Sequence, residues 1–336
     1  MLVNSLSKGG LQEHTDNVVI YFQGDSALLD KLDKKVKVIN LQYKGKYTIS
    51  TLLLKIKNLI KTHQPDIIHT HLNPAGWYTS LVCPKHIPQV HTIHTSYSED
   101  KSTGKMNLFF ERILLLQKKD ANLITLSNLL KDDLKKAVNI KGNVFVLSNF
   151  IDDIYFEANP EPLAQDNIFK LVAVGNIRPA KNYEYLLDIF RCLKGHPVSV
   201  DIYGFGDHSR FSNISEKENL AVRFMGPAIN PKEIYWKYNA FIMPSKHESF
   251  GLTAYEAMAS GLPLFLSDLH TFKSLIKENA VYFSVDNPNE AAQLIVDAMN
   301  GKSDIKGMAL RAKQYAQKTV RRETYIKNLL DIYSRL

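Results

Sequence analysis

The run from Tyr238 to Asp268, YNAFIMPSKHESFGLTAYEAMASGLPLFLSD, governs how the rest of the chain is read. Ala240 to Met243 is a short apolar run of the kind that forms a buried parallel strand. Pro244 and Ser245 end it, and a polar loop, Lys246-His247-Glu248-Ser249, follows. From about Gly251 the pattern turns helical until Gly261-Leu262-Pro263 stops it, as glycine and proline commonly do. Leu264 to Leu266 reads as the next strand. Strand, loop, helix and strand make a βαβ unit, and the ligands of such units sit beyond the carboxyl ends of the strands.

The helix start carries the chemistry. Ser249, Phe250, Gly251, Leu252 and Thr253 are expected to offer free backbone N–H groups to an anion, with the helix dipole adding partial positive charge. Gly251 lets a phosphate approach the backbone closely. Glu256 stands one turn further, about 5.4 Å along the axis, where a carboxylate accepts hydrogen bonds from the vicinal hydroxyls of a ribose. Glu248 lies before the helix, in the loop that faces the ligand. Taken alone, such a pair reads first as a helix cap, Glu248, and a solvent-facing side chain, Glu256.

Its surroundings decide otherwise. Pro244, Ser245, Glu248, Phe250, Gly251, Glu256, Ala257, Met258, Ala259, Gly261 and Pro263 stand as they do in the signature of retaining glycosyltransferases of family 4 (glycosyl transferases group 1), which the run resembles. That resemblance implies an α/β chain of GT-B architecture: two doubly wound Rossmann-like domains facing across a cleft. It places an acceptor-side domain over residues 1–156, joined by a C-terminal helix over 319–336, and a nucleotide-sugar-binding domain over 157–318. The polar, proline-marked stretch Glu157 to Asn167 is the expected linker.

Length and composition agree with two soluble domains. The 336 residues are 45% hydrophobic and 23% charged, with ample chain for two cores. Cys83 and Cys192 lie far apart and fit neither a disulfide framework nor a zinc site. The start lacks the charged region and apolar core of a signal peptide, and no apolar run reaches a membrane span, so a cytoplasmic enzyme is expected. The net charge of +8 suits anionic sugar nucleotides, anionic lipid headgroups or nucleic acid. No nucleic-acid-binding motif accompanies it, so nucleic acid is set aside.

In the first half, Val3 to Gly10 reads as a strand end and a glycine loop, and Gly9-Gly10 resembles the family loop that lies over the donor diphosphate. The family follows those glycines with a long helix, but Leu11 to Asn17 leaves almost no room before the apolar run Val18 to Phe22. Asp66 to His69, followed by Thr70-His71, and Gln89 to His94 read as two strands that end in histidines. No HExxH or cysteine partner accompanies these histidines, and strand alternation turns neighbours to opposite faces, so no metal site is expected. His94 matches the family histidine that lies near the transferred sugar, and His71 is the second candidate; His69 and His91 read as structural. Residues 107–119, NLFFERILLLQKK, admit two readings: a core helix with a basic end, or a patch resting on an anionic membrane. Ala121 to Ser127 and Val144 to Leu147 read as the closing strands, and Ser148-Asn149-Phe150-Ile151-Asp152 resembles the family's Asn-Gly-Ile-Asp segment with Phe150 for the glycine.

In the second half, Lys170 to Gly175 opens the donor domain as a buried strand. The loop after it, Asn176 to Asn182, resembles the family's diphosphate-binding loop. Lys181 matches the family lysine; Asn176 stands where the family has arginine, and Arg178 is the alternative cation. Gly204-Phe205-Gly206 follows the next strand; the third glycine of a nicotinamide fingerprint is absent, and Gly204 joins the expected donor contacts. Val222 to Gly226 reads as the strand whose exit receives the base.

These readings imply transfer of a hexose-type sugar, with retention and without metal or cofactor, from a UDP-sugar ahead of a GDP-sugar to a glycan or lipid-linked hydroxyl. Lys181, His94 and Glu248 form the expected catalytic set. Gly9, Gly10, Gly175, Asn176, Arg178, Lys181, Gly204, Ser249 to Thr253 and Glu256 are the expected donor contacts. The spacing of Glu248 and Glu256 argues for transfer over a GT-B epimerase or phosphorylase, and the rival of a different class is a non-catalytic sugar-nucleotide-binding protein, motivated by Asn176 and the short start.

Overall fold

The computed structural model describes residues 5–24, 29–45, 48–94, 109, 111–116, 118–157, 167–228 and 231–336. It divides into two units, Met1–Phe150 with Arg322–Leu336, and Ile151–Arg321. Residues 158–166 of the expected linker, Val3 and Asn4 lie outside the described residues.

In the first unit β1 (Val18–Tyr21) pairs in parallel with β2 (Lys37–Asn40). α1 (Ile49–His63) buries Leu52, Ile56 and Ile60, one residue per turn along one stripe, and Gln64 closes it in the left-handed region. β3 (Ile68–His71), α2 (Asn73–Val82), β4 (Gln89–Ile93), β5 (Asn122–Thr125), α3 (Asn128–Ala137) and β6 (Asn143–Val146) follow. β3 to β6 pair in that order as a parallel sheet of four strands. Ser127, read from sequence as strand, instead caps α3, its Oγ accepting from the Leu130 N–H at 3.2 Å. The described part of the first glycine loop, Ser5 to Gly10, is helical turn and bend rather than a strand end. A single 3₁₀ turn, Leu11–Glu13, takes the place of a long helix before β1, because seven residues hold no more.

The second unit contains β7 (Phe169–Val174), α4 (Tyr183–Cys192), β8 (Val198–Tyr203), α5 (Ser209–Lys217), β9 (Val222–Gly226) and α6 (Pro231–Tyr235). β10 (Ala240–Met243), α7 (Leu252–Ala259), β11 (Leu264–Ser267), α8 (His270–Ile276), β12 (Val281–Phe283), α9 (Pro288–Met299) and α10 (Ile305–Thr319) complete it. Its six strands are all parallel, in the order β12-β11-β10-β7-β8-β9. Every residue of β10 and β11 is buried, as a sheet covered on both faces requires. The strand order reverses between β7 and β10, and the crevice at such a switch point is where α/β sheets take ligands.

α11 (Arg322–Tyr333) belongs to the first unit. Tyr325, Ile326, Leu329 and Ile332 share its core with Val90, Ile124, Leu147 and Phe150. The terminal helix read over 319–336 is therefore broken: Thr319 ends α10, and α11 starts at Arg322. Residues 151–156, read with the first domain, pack in the second unit, where the Ile151 N–H donates to the Val320 carbonyl.

Within 107–119, residues 107, 108, 110 and 117 are outside the described residues. Arg112–Leu116 forms a π-helical turn that buries Leu115 and Leu116 and exposes Ile113, while Phe109 is also exposed. Among the described residues no helix is long and apolar enough to cross a membrane.

Candidate active site

At the switch point of the second unit, two loops meet. One leaves β7 as Gly175 to Asn182, the other leaves β10 as Pro244 to Gly251, and the Lys246 N–H joins them by donating to the Ala180 carbonyl at 2.8 Å. Lys181 Nζ lies 2.5 Å from Glu248 Oε1, and the buried Ser245 hydroxyl donates to the same oxygen at 3.0 Å. A Cβ at Gly175 would stand 2.9 Å from Lys181 Cε and 3.2 Å from the Tyr183 hydroxyl, so a side chain there would displace the lysine from its place.

The Asn176 side chain is committed elsewhere: its Oδ1 accepts from the Phe205 N–H at 3.2 Å, and the Ile177 N–H donates to the Phe205 carbonyl. The loops after β7 and β8 are thereby sewn together. Gly204 permits it, because a Cβ there would fall 2.0 Å from the Gly175 carbonyl oxygen. Arg178 is exposed.

Gly251 precedes α7 as its N-cap and takes φ +81°, and a Cβ there would meet Phe272 at 2.7 Å. The N–H groups of Leu252 and Thr253, at the helix start, have no intrahelical acceptor, and among the described residues no side chain caps them. Phe250 is buried and stacks on Tyr255 at 5.0 Å, so it holds the loop rather than offering its ring to a ligand. One turn into the helix Glu256 Oε2 accepts from the Tyr235 hydroxyl at 2.7 Å. Burial, with Asp152 adding to it, lifts the Glu256 carboxyl to about 7 against the opposing Tyr235 bond.

The first unit carries a second cluster. His71 ends β3 and His94 follows β4; His71 Nδ1 and His94 Nε2 share a hydrogen bond at 3.2 Å. His69 stacks on His71 and bonds Thr92 Oγ1 and the Tyr333 hydroxyl, each at 2.7 Å. His91 pairs with Thr70 instead. His69 and His71 are two apart on one strand and so share a face, which is why they meet. Burial pushes His69 and His91 down to about 3 and lowers His71 and His94 too, so all four stay neutral at pH 7. A cavity of about 260 Å³ is lined by His71, Thr92, His94, Asn149 and Tyr325 among others. Among the described residues, Asn149 Oδ1 and His71 Nε2, both buried, have no hydrogen-bond partner.

Residues 5–154 match Glycosyltransferase Family 4, and residues 156–319 match Glycosyl transferases group 1. The chain is a group 1 glycosyltransferase with the GT-B fold. MJ1178 of Methanocaldococcus jannaschii, an uncharacterized glycosyltransferase, is 23% identical over 92% of this chain and 90% of its own length. The O-antigen chain mannosyltransferase RfbU of Salmonella typhimurium is 24% identical over 72% of this chain and 73% of its own. HepE of Anabaena, solved with UDP-glucose, superposes with a TM-score of 0.82 over 100% of this chain and 95% of its own; at 17% identity the likeness shows the fold.

In this glycosyltransferase, Gly175, Asn176, Lys181, Gly204, Glu248, Ser249 to Thr253 and Glu256 gather around the carboxyl edge of the second sheet, as the strand pairings require. Gly9, Gly10 and His94 belong to the first unit. Gly9 takes φ +74°, and Gly10 is packed so that a Cβ would lie 2.2 Å from the Ser5 carbonyl oxygen. Sequence reasoning missed four contacts. Ser245, at the end of β10, supports Glu248. Tyr235 and Asp152 surround Glu256, and Tyr333 holds His69. Only Ser245, three residues from Glu248, carried a local signal.

Proposed function

We propose that this glycosyltransferase moves a hexose-type sugar from a UDP-sugar, with a GDP-sugar second, to a hydroxyl of a glycan or lipid-linked acceptor, with retention and without metal. The meeting of Lys181, Glu248 and the uncapped start of α7 at the β7/β10 switch point carries this reading. The leaving group is a nucleoside diphosphate, so the protein has to stabilise charge developing on the β-phosphate. Lys181, Arg178 and the N–H groups of Leu252 and Thr253 are assigned to that charge, and Glu256 to the ribose. Glu248 positions the sugar, and His94 keeps the sugar contact that its motif match implies. UDP is put first because HepE was solved with UDP-glucose. An acceptor in polysaccharide or lipid-linked glycan assembly is supported by the O-antigen role that RfbU's name states. Exposed Phe109 and Ile113 support peripheral contact with a membrane surface, and the two free cysteines support a cytoplasmic setting.

A non-catalytic sugar-nucleotide-binding role is favoured by one observation: Asn176 replaces a phosphate-clamping arginine and spends its side-chain oxygen on Phe205. Release of nucleoside diphosphate in the presence of acceptor separates the two. The first test is thermal stability with UDP, GDP and their sugars, for wild type and Glu256→Ala. A ligand at a hundred times its Kd stabilises by about 2.7 kcal/mol, and Glu256→Ala should lose that gain. Absence of any shift with every nucleotide would sink the enzyme reading.

A further inference from the structure

We propose that Glu248 competes with the donor's diphosphate for Lys181, so that the site favours a sugar-bearing nucleotide over the bare nucleoside diphosphate. The proposal rests on the donor reading of this edge and adds a discrimination to it.

The pair is built into the unit rather than draped over it. The Lys181 and Glu248 side chains are only 20% and 12% exposed, and their charges lie 2.5 Å apart. Ser245, fully buried, fixes Glu248 from behind, and the Lys246-to-Ala180 backbone bond fixes the spacing of the two loops. Exposed ion pairs contribute little because water screens them, but this one is largely shielded. Both bonds to Glu248 end on Oε1; among the described residues Oε2 accepts none.

A bare diphosphate arriving at the α7 start needs the Lys181 ammonium and places negative charge beside Glu248. To release the ammonium it has to leave the carboxylate with Ser245 alone, and removing one partner of a shielded pair is costly. A sugar on the β-phosphate changes the balance, because its hydroxyls donate to the carboxylate and replace what the ammonium withdraws. Glu248 thereby makes Lys181 available to the sugar-bearing nucleotide and contests it with the product. A bracing role, in which the carboxylate merely holds the ammonium in place for phosphate, predicts the opposite response to its removal.

The test is calorimetric titration of UDP and UDP-glucose into wild type, Glu248→Gln, Glu248→Asp, Lys181→Met and the Lys181→Met/Glu248→Gln double variant, with folding checked by melting. Glu248→Gln should bind UDP about tenfold more tightly, the scale of one charge-assisted hydrogen bond, and bind UDP-glucose no better than wild type. Glu248→Asp keeps the charge but draws it back from Lys181, and should also tighten UDP, which covers the case of a Glu248→Gln protein that does not fold. With Lys181 already Met, the gain from Glu248→Gln should shrink below about threefold, since coupling and not simple repulsion is the cause. UDP binding that weakens or stays unchanged in both Glu248 variants overturns the proposal, as does an undiminished gain in the double variant. If wild type binds neither nucleotide, the donor-site reading itself falls.

Discussion

Glu256 shows how burial sets the working state of a single side chain. Its carboxyl, ordinarily ionised well below neutrality, is lifted to about 7 by burial, with Asp152 adding to it and the Tyr235 hydroxyl opposing it. A carboxyl raised in the fold binds more protons folded than unfolded between its ordinary pKa and about 7, so stability falls as pH rises through that window. Glu256→Gln should remove this slope and gain on the order of 2 kcal/mol at pH 8, read by denaturant melts at pH 5.5 and 8. Donor binding should run the other way. A ribose needs the carboxylate as acceptor, so wild-type affinity should rise as pH passes 7, and a flat profile would contradict the ribose role. The glutamate itself was legible from sequence, one turn below a helix start. Its protonation was not, because Tyr235 and Asp152 reach it from other elements.

Elements carry the donor loops, and glycines set how closely those loops approach. The ends of β7 and β8 touch where Gly204 faces the Gly175 carbonyl oxygen, with no room for a Cβ at 2.0 Å. Gly204→Ala should therefore push the two strand ends apart, costing about 1–3 kcal/mol as overpacking does, and displace the Asn176 and Lys181 loop. Urea unfolding together with UDP titration would check both; a variant of wild-type stability that still binds UDP would refute the packing role. Elements of the second half were legible because buried parallel strands are continuous apolar runs bounded by turn residues. The first half was less so. Ser5 to Gly10 and Ser127 resemble strand ends in composition yet form a turn and a cap, since hydrogen bonding to the chain just ahead decides between the two.

At the scale of the molecule, α11 returns to the first unit and supplies Tyr325, Ile326, Leu329 and Ile332 to its core. Each such side chain is worth about 1.5–3 kcal/mol when fully buried, so a chain ended after Arg321 should lose the first unit's cooperative unfolding. Calorimetry should then show the second unit's transition alone; two intact transitions would refute this. The chain's local order by itself determined the βαβ run from Ala240 to Leu266, the glutamates that flank its helix start, and Lys181 in the loop after β7, because each depends on neighbours within a few residues. Only tertiary structure decided which of them meet. Lys181 reaches Glu248 across 67 positions, and His69 reaches Tyr333 across 264. Parallel pairing aligns the carboxyl ends of strands that are distant in sequence, and no local periodicity records which ends become neighbours.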